Sequence, residues 1–180
     1  MQEKWKEKLK VWLKAAIIAG LLTLILRNFI FLPISVSGSS MIPTIDESDQ
    51  LIVETVSSIE RFDVVVFRDE TGRPLVKRVI GLPGEHLRFE NDQLYIDERP
   101  IDEPFLDNAF VKEAGGIWTS DFTLESLTGK MTIPKGEYFV MGDNRRLSND
   151  SRYFGPIKAD AIIGEVIMVY YPFDQIRIIK

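Results

Sequence analysis

Leu75-Val76-Lys77-Arg78-Val79-Ile80-Gly81 has the composition of a β-strand with two cations at its centre. Period-two alternation puts Leu75, Lys77 and Val79 on one face and Val76, Arg78 and Ile80 on the other, so each face carries one charge among apolar neighbours. Long side chains snorkelling to water from an edge strand would account for them. A buried amine is the sharper reading. Desolvation disfavours the ammonium form, so an enclosed lysine can fall from about 10.4 toward neutrality and become a proton acceptor. The natural donor is a serine hydroxyl, and the turn Gly38-Ser39-Ser40-Met41-Ile42-Pro43-Thr44 lies upstream. Serine and lysine together make a nucleophile and a base without histidine.

Outward from this strand, the chain after Pro33 breaks into short apolar runs separated by turn residues, with no long helical period, repeat or low-complexity tract. Strands are expected at 50–54, 63–67, 75–80, 85–89, 93–97, 138–141 and 161–171, with a hairpin at Asn91-Asp92 and breaks at Gly72-Arg73-Pro74 and Leu82-Pro83-Gly84. The expectation is a mainly β fold with antiparallel pairing. Residues 104–129 are acidic and poorly periodic and read as an insertion running over the surface, with no catalytic part.

At 180 residues and 45% apolar, the chain suits one folded core. The absence of cysteine removes disulfide and thiol chemistry, and a single histidine, His86, excludes a His-rich metal cluster. No cofactor or metal is implied. Residues 1–27 carry six basic and two acidic side chains, so of the net −5 the remainder holds −9, which excludes nucleic acid as a partner for the globular part. The division fits an anchored protein.

Lysines occupy residues 1–10, and 11–33 are almost wholly apolar, with Trp12, Phe29 and Phe31 placed for the two interfaces. A transmembrane anchor is expected at 11–33. By the positive-inside rule, 1–10 would lie in the cytoplasm and 34–180 outside, giving a single-pass protein of the cell membrane with the lipid bilayer as a partner. A cleavable leader shares this pattern, with Ser35-Val36-Ser37 at a suitable distance for cutting, and a helix buried in a soluble fold is a third reading.

The segment from Gly142 to Gly155 is dense in small polar side chains. Asp150-x-Arg152 can lock such a loop by an ion pair, and Ser148 can hold an amine by hydrogen bonding. His86 has the setting of an exposed turn histidine.

These segments together resemble type I signal peptidases, membrane-anchored serine proteases that remove leader sequences from exported proteins. The turn at 38–44 is similar to the family's nucleophile box, Arg61 to Phe67 to its next strand, Val76 to Gly84 to its lysine box and Gly142 to Gly155 to its last box. The resemblance implies an antiparallel β-sheet catalytic domain preceded by one N-terminal transmembrane helix. It implies Ser40 as nucleophile, Lys77 as general base, Ser148 as the residue orienting the lysine, and Asp150 with Arg152 as support. The Ser40 amide would be one oxyanion donor. Substrates would be the signal peptides of preproteins, with small residues at the first and third positions before the cut. Gly38 stands where some members have a serine supplying the second oxyanion donor, so Ser39 or a backbone group must substitute; Phe62 stands where glycine is usual. The competing expectations are a self-cleaving Ser/Lys relative and a non-catalytic membrane-anchored β-scaffold.

Overall fold

Alternating runs resolve into twelve strands among the described residues of the computed structural model, which covers the backbone of 2–29, 31–55 and 58–179, with side chains at 2–4, 9, 22–29 and 31 outside the description. In chain order these elements are α1 (Gln2–Phe29), β1 (Phe31–Ser35), β2 (Gln50–Glu54), β3 (Val64–Arg68), β4 (Pro74–Gly81), β5 (Leu87–Glu90), β6 (Gln93–Ile96) and β7 (Arg99–Ile101). They continue with α2 (Ala109–Ala114), β8 (Phe122–Thr123), α3 (Leu124–Thr128), β9 (Glu137–Met141), α4 (Ser151–Phe154), β10 (Ile157–Lys158), β11 (Ile162–Tyr171) and β12 (Arg177–Ile178).

The larger sheet has the order β1-β2-β11-β3-β4-β9-β10, with β12 also on β11, and the smaller has the order β7-β6-β5-β8. Every described pairing is antiparallel, and for β3–β4, β5–β6, β6–β7 and β11–β12 the short connections require it. Asn91 and Asp92 both take positive φ, the conformation a two-residue hairpin loop needs, and join β5 to β6. Pro33 sits in β1, at the edge of the sheet, where a residue without an amide proton is tolerated.

β4 lies inside the larger sheet, between β3 and β9, and its residues from Lys77 to Gly81 are all buried. Its apolar residues therefore serve different cores. Val76 packs against the cluster of Met41, Ile45, Leu51 and Val166; Val79 lies with Val65, Phe67 and Val140; Ile80 joins Leu87, Phe89, Leu124 and Phe139 between the two sheets. A central strand covered on both faces loses the polar face that alternation would otherwise show.

Two expectations need correction. The expected transmembrane span at 11–33 is not recovered: among the described residues no helix is long and apolar enough to cross a membrane. The helix is one continuous segment from Gln2 to Phe29, while 32–33 fall in β1, paired with Ile52 and Val53. The side chains at 22–31, much of the expected span, lie outside the described residues. The 104–129 stretch, expected to run over the surface, instead buries Trp118, Thr119 and Leu124 and contributes β8 to the smaller sheet. Its few apolar residues are spaced too irregularly to show a period, yet they close one end of a core.

Candidate active site

The turn after β1 brings Ser40 to β4, so that Lys77 Nζ lies 2.8 Å from Ser40 Oγ and 3.0 Å from the carbonyl oxygen of Val76. Lys77 is 4% exposed, so its side chain does not snorkel to water. Burial pulls its pKa from 10.5 down to about 8, against the carboxylates of Asp150 and Asp143, which pull it upward. An amine of this kind is neutral in a useful fraction of molecules at mildly alkaline pH.

The serine is held from two directions. Met41 and Ile45 bury into the core beneath the turn, and the Ile45 amide donates to the Met41 carbonyl at 3.0 Å. From the other side, Asn144 donates its amide proton to Ser40 O at 3.0 Å and its side-chain amide to Ser39 O at 3.2 Å. Among the described residues the Ser40 amide donates to no acceptor, which leaves it open toward a substrate oxygen. Gly38 adopts φ +93°, the left-handed region that glycine enters without steric cost, and brings no hydroxyl to the site.

The loop that follows β9 is fixed by Asp150. Its carboxylate accepts from the Gly142 amide at 3.0 Å and from Arg152 Nε and Nη2, each at 2.8 Å, and it caps α4. Burial opposes ionisation of Asp150, but Arg152 and the Gly142 amide outweigh it and hold its pKa below the usual carboxylate value. Ser148 is buried beside these groups. Its hydroxyl leans toward Asp150 and adds to that lowering, yet closes no hydrogen bond of sound geometry and none with Lys77. The lysine is oriented here by Ser40 and the Val76 carbonyl. Gly142 permits the close approach, because a methyl group there would overlap both Ser148 Oγ and Ser40 O.

Residues 9–171 match the family model described as signal peptidase, peptidase S26. The chain belongs to the signal peptidase family. It is 42% identical over 163 residues to signal peptidase I V of Bacillus subtilis strain 168, covering 88% of this chain and 97% of that one. Identity to signal peptidase I of Bacillus caldolyticus is 46% over 154 residues, covering 83% and 85%. The crystal structure of a signal peptidase I from Enterococcus faecalis V583 superimposes with a TM-score of 0.57 at 40% identity, covering 61% of this chain and 97% of that one. The protein is therefore a peptidase, and a non-catalytic scaffold is set aside.

Sequence reasoning missed the partner of the peptidase's second buried cation. Arg78 Nε and Nη2 form a bidentate pair with Asp143 at 2.9 and 2.8 Å, both side chains being wholly buried. Arg78 Nη1 also donates to Phe62 O at 2.7 Å, and the guanidinium lies 4.1 Å from the Phe105 ring centroid. Asp143 accepts in addition from Thr44 Oγ1, so it ties the turn that carries Ser40 to β4. The available signal was weak: an arginine in an apolar strand needs an anion, and the last box offers Asp143 and Asp150 without saying which. The usual glycine at position 62 is also explained, since Phe62 takes φ +75°.

The 104–129 stretch reaches this network. Trp118 Nε1 donates to Asp143 O at 3.1 Å, Thr119 Oγ1 accepts from Arg145 at 3.0 Å, and Arg145 is ion-paired to Glu103. His86 pairs instead with Glu98, at 3.3 Å.

Asp143→Asn strands Arg78 as a buried cation, and chemical denaturation should read a loss of about 3–5 kcal/mol. Lys77→Met should act in the opposite sense. The folded-state pKa of Lys77 lies below its unfolded value, so its burial costs most below pH 8, and the cost fades as pH rises toward 10.5. The Met variant should be up to about 3 kcal/mol more stable than the wild type at pH 7 and lose that gain by pH 10.5. Denaturant midpoints across that pH range measure it; a gain that grows with pH contradicts the burial argument.

Proposed function

We propose that this peptidase removes N-terminal signal peptides from preproteins, with Ser40 as nucleophile and Lys77 as general base. The observation that carries the reading is the 2.8 Å approach of Lys77 Nζ to Ser40 Oγ, with the amine brought down to a pKa of about 8. Neutral Lys77 takes the hydroxyl proton as Ser40 Oγ attacks the scissile carbonyl, and the proton passes to the leaving amine as the C–N bond breaks. An ester to Ser40 remains. Lys77 then deprotonates a water that attacks the ester, releasing the signal peptide with a new carboxylate and restoring the serine. The Ser40 amide stabilises the oxyanion in both steps, and Ser39 or a backbone group supplies the second donor that Gly38 lacks.

The substrate lies as an added strand. β9 pairs with β4 only from Arg78 to Gly81, and among the described residues no strand pairs with 74–77 on that side. An extended peptide laid along this edge passes the dyad with its first and third side chains before the cut on one face, so both face the enzyme and both must be small. Asp150 and Arg152 hold the loop after β9 that walls the site beside Lys77, with Ser148 buried in it.

The N-terminal helix holds the enzyme at the lipid bilayer. Val11, Trp12, Leu13, Ile17, Ile18 and Leu21 are each more than half exposed, and lysines precede them. The topology that follows places residues 1–10 in the cytoplasm and the β domain from β1 onward outside, with the anchor confined to α1.

Cleavage of an Ala-x-Ala precursor in detergent tests the reading. Wild type should cut, and Ser40→Ala and Lys77→Ala should each lose at least about three orders of magnitude in kcat. Activity should rise with pH through about 8, because the working base is the deprotonated amine. Undiminished cleavage by either variant refutes the dyad.

A further inference from the structure

The matched family region ends at residue 171, yet the residues that follow reach back to the turn that carries Ser40. β3 pairs with β11 only as far as Glu165, and β12 occupies the same edge further on, with Arg177 opposite Val169 and Ile178 opposite Met168. Ile179 enters the core cluster that contains Met41 and Ile45, and its amide donates to Ile167 O at 3.0 Å. From this strand Arg177 Nε and Nη2 both donate to the carbonyl of Thr44, at 3.1 and 3.0 Å. Nη2 also meets the carboxylate of Asp49 at 2.6 Å. Asp49 is 1% exposed, and its carboxylate accepts from the Asp46 amide at 3.0 Å.

Thr44 is therefore gripped twice, its hydroxyl by Asp143 and its carbonyl by Arg177. We propose that Arg177 is a positioning residue for the nucleophile, setting through Thr44 and Asp49 the turn on which Ser40 meets Lys77. The inference rests on Ser40 being the nucleophile.

The physical argument is one of geometry more than of stability. Arg177 is about one-third exposed, so its ion pair is partly screened and adds little to folding. Its two-nitrogen hold on one carbonyl is directional, however, and Asp49 on the other side is buried and needs a cation. With both released, the turn can move relative to Lys77, and a displacement of an ångström at a reacting atom costs up to about a hundredfold in rate.

The test uses the full chain in detergent, precursor cleavage, and titration of reactive Ser40 with an acylating penem so that rates are per competent site. Arg177→Ala should lower kcat about tenfold or more with KM within about twofold. Guanidinium ion added at millimolar concentration should restore part of the loss, and Arg177→Lys should fall between the two. Ile178→Ser, at an exposed position of the same strand, should keep wild-type kinetics. Unchanged kcat in Arg177→Ala, or a loss accounted for wholly by fewer titratable sites, overturns the proposal. If the Ala variant does not fold, Arg177→Lys decides by the same readouts: a kcat about threefold lower at constant KM supports positioning, and an unchanged kcat overturns it. A Ser40→Ala variant that still cleaves refutes the dyad and this inference together; a working dyad indifferent to Arg177 refutes this inference alone.

Discussion

Taking Lys77 out of water is the constraint on which the rest of the site depends. A lysine left in solvent would hold its proton at any ordinary pH and would be useless as a base. Burial lowers its pKa to about 8, and the two nearest acidic groups, Asp150 and Asp143, work against that lowering. They do not win because each is already engaged: Asp150 with Arg152 and the Gly142 amide, Asp143 with Arg78 and Thr44. A carboxylate neutralised by a fixed guanidinium exerts much less pull on a third charge. The arginines thus help keep the amine neutral while they build the walls of the site.

Adjacent positions on one strand do opposite jobs for a geometric reason. Side chains at 77 and 78 leave β4 on different faces, so one cation can be held unpaired against a serine while its neighbour is fully paired. The loop after β9 serves both faces. Asn144 fixes the backbone of Ser39 and Ser40, Asp143 fixes Arg78, and Asp150 holds the loop to its own start at Gly142. The segment between β7 and β8 buttresses this loop through Trp118, Thr119 and Glu103. Buried polar groups in such number are stable only when nearly all are satisfied, and among the described residues Ser148 Oγ is the exception.

Strands with a strong apolar or alternating pattern were legible in the sequence, and those at 50–54, 63–67, 75–80, 93–97, 138–141 and 161–171 lie within a residue of the observed bounds. The elements that escaped were β1, β7, β8, β10 and β12, none longer than five residues. β7, β8, β10 and β12 have two or three residues, too few to display a period, and each pairs with a longer neighbour, while β1 falls largely inside the run read as an anchor. β12 shows this well: Arg177 and Ile178 form a strand only because β11 extends beyond β3. The surface course expected for 104–129 failed for a related cause. Its burial comes from Trp118, Thr119 and Leu124, whose partners lie on the smaller sheet or in the loop after β9.

The sequence by itself determined the antiparallel β character and the family, and it singled out Ser40 and Lys77, which the fold brings to 2.8 Å, because these depend on local pattern and on short contiguous motifs. It could not determine that Arg78 is paired to Asp143, that the lysine is held by Ser40 and a backbone carbonyl without help from Ser148, or that the C-terminal strand grips the turn that carries Ser40. Those follow from desolvation and from contacts across 65, 37 and 133 residues of chain. Such contacts exist only once the sheet has closed, and a group's solvation is a property of everything packed around it.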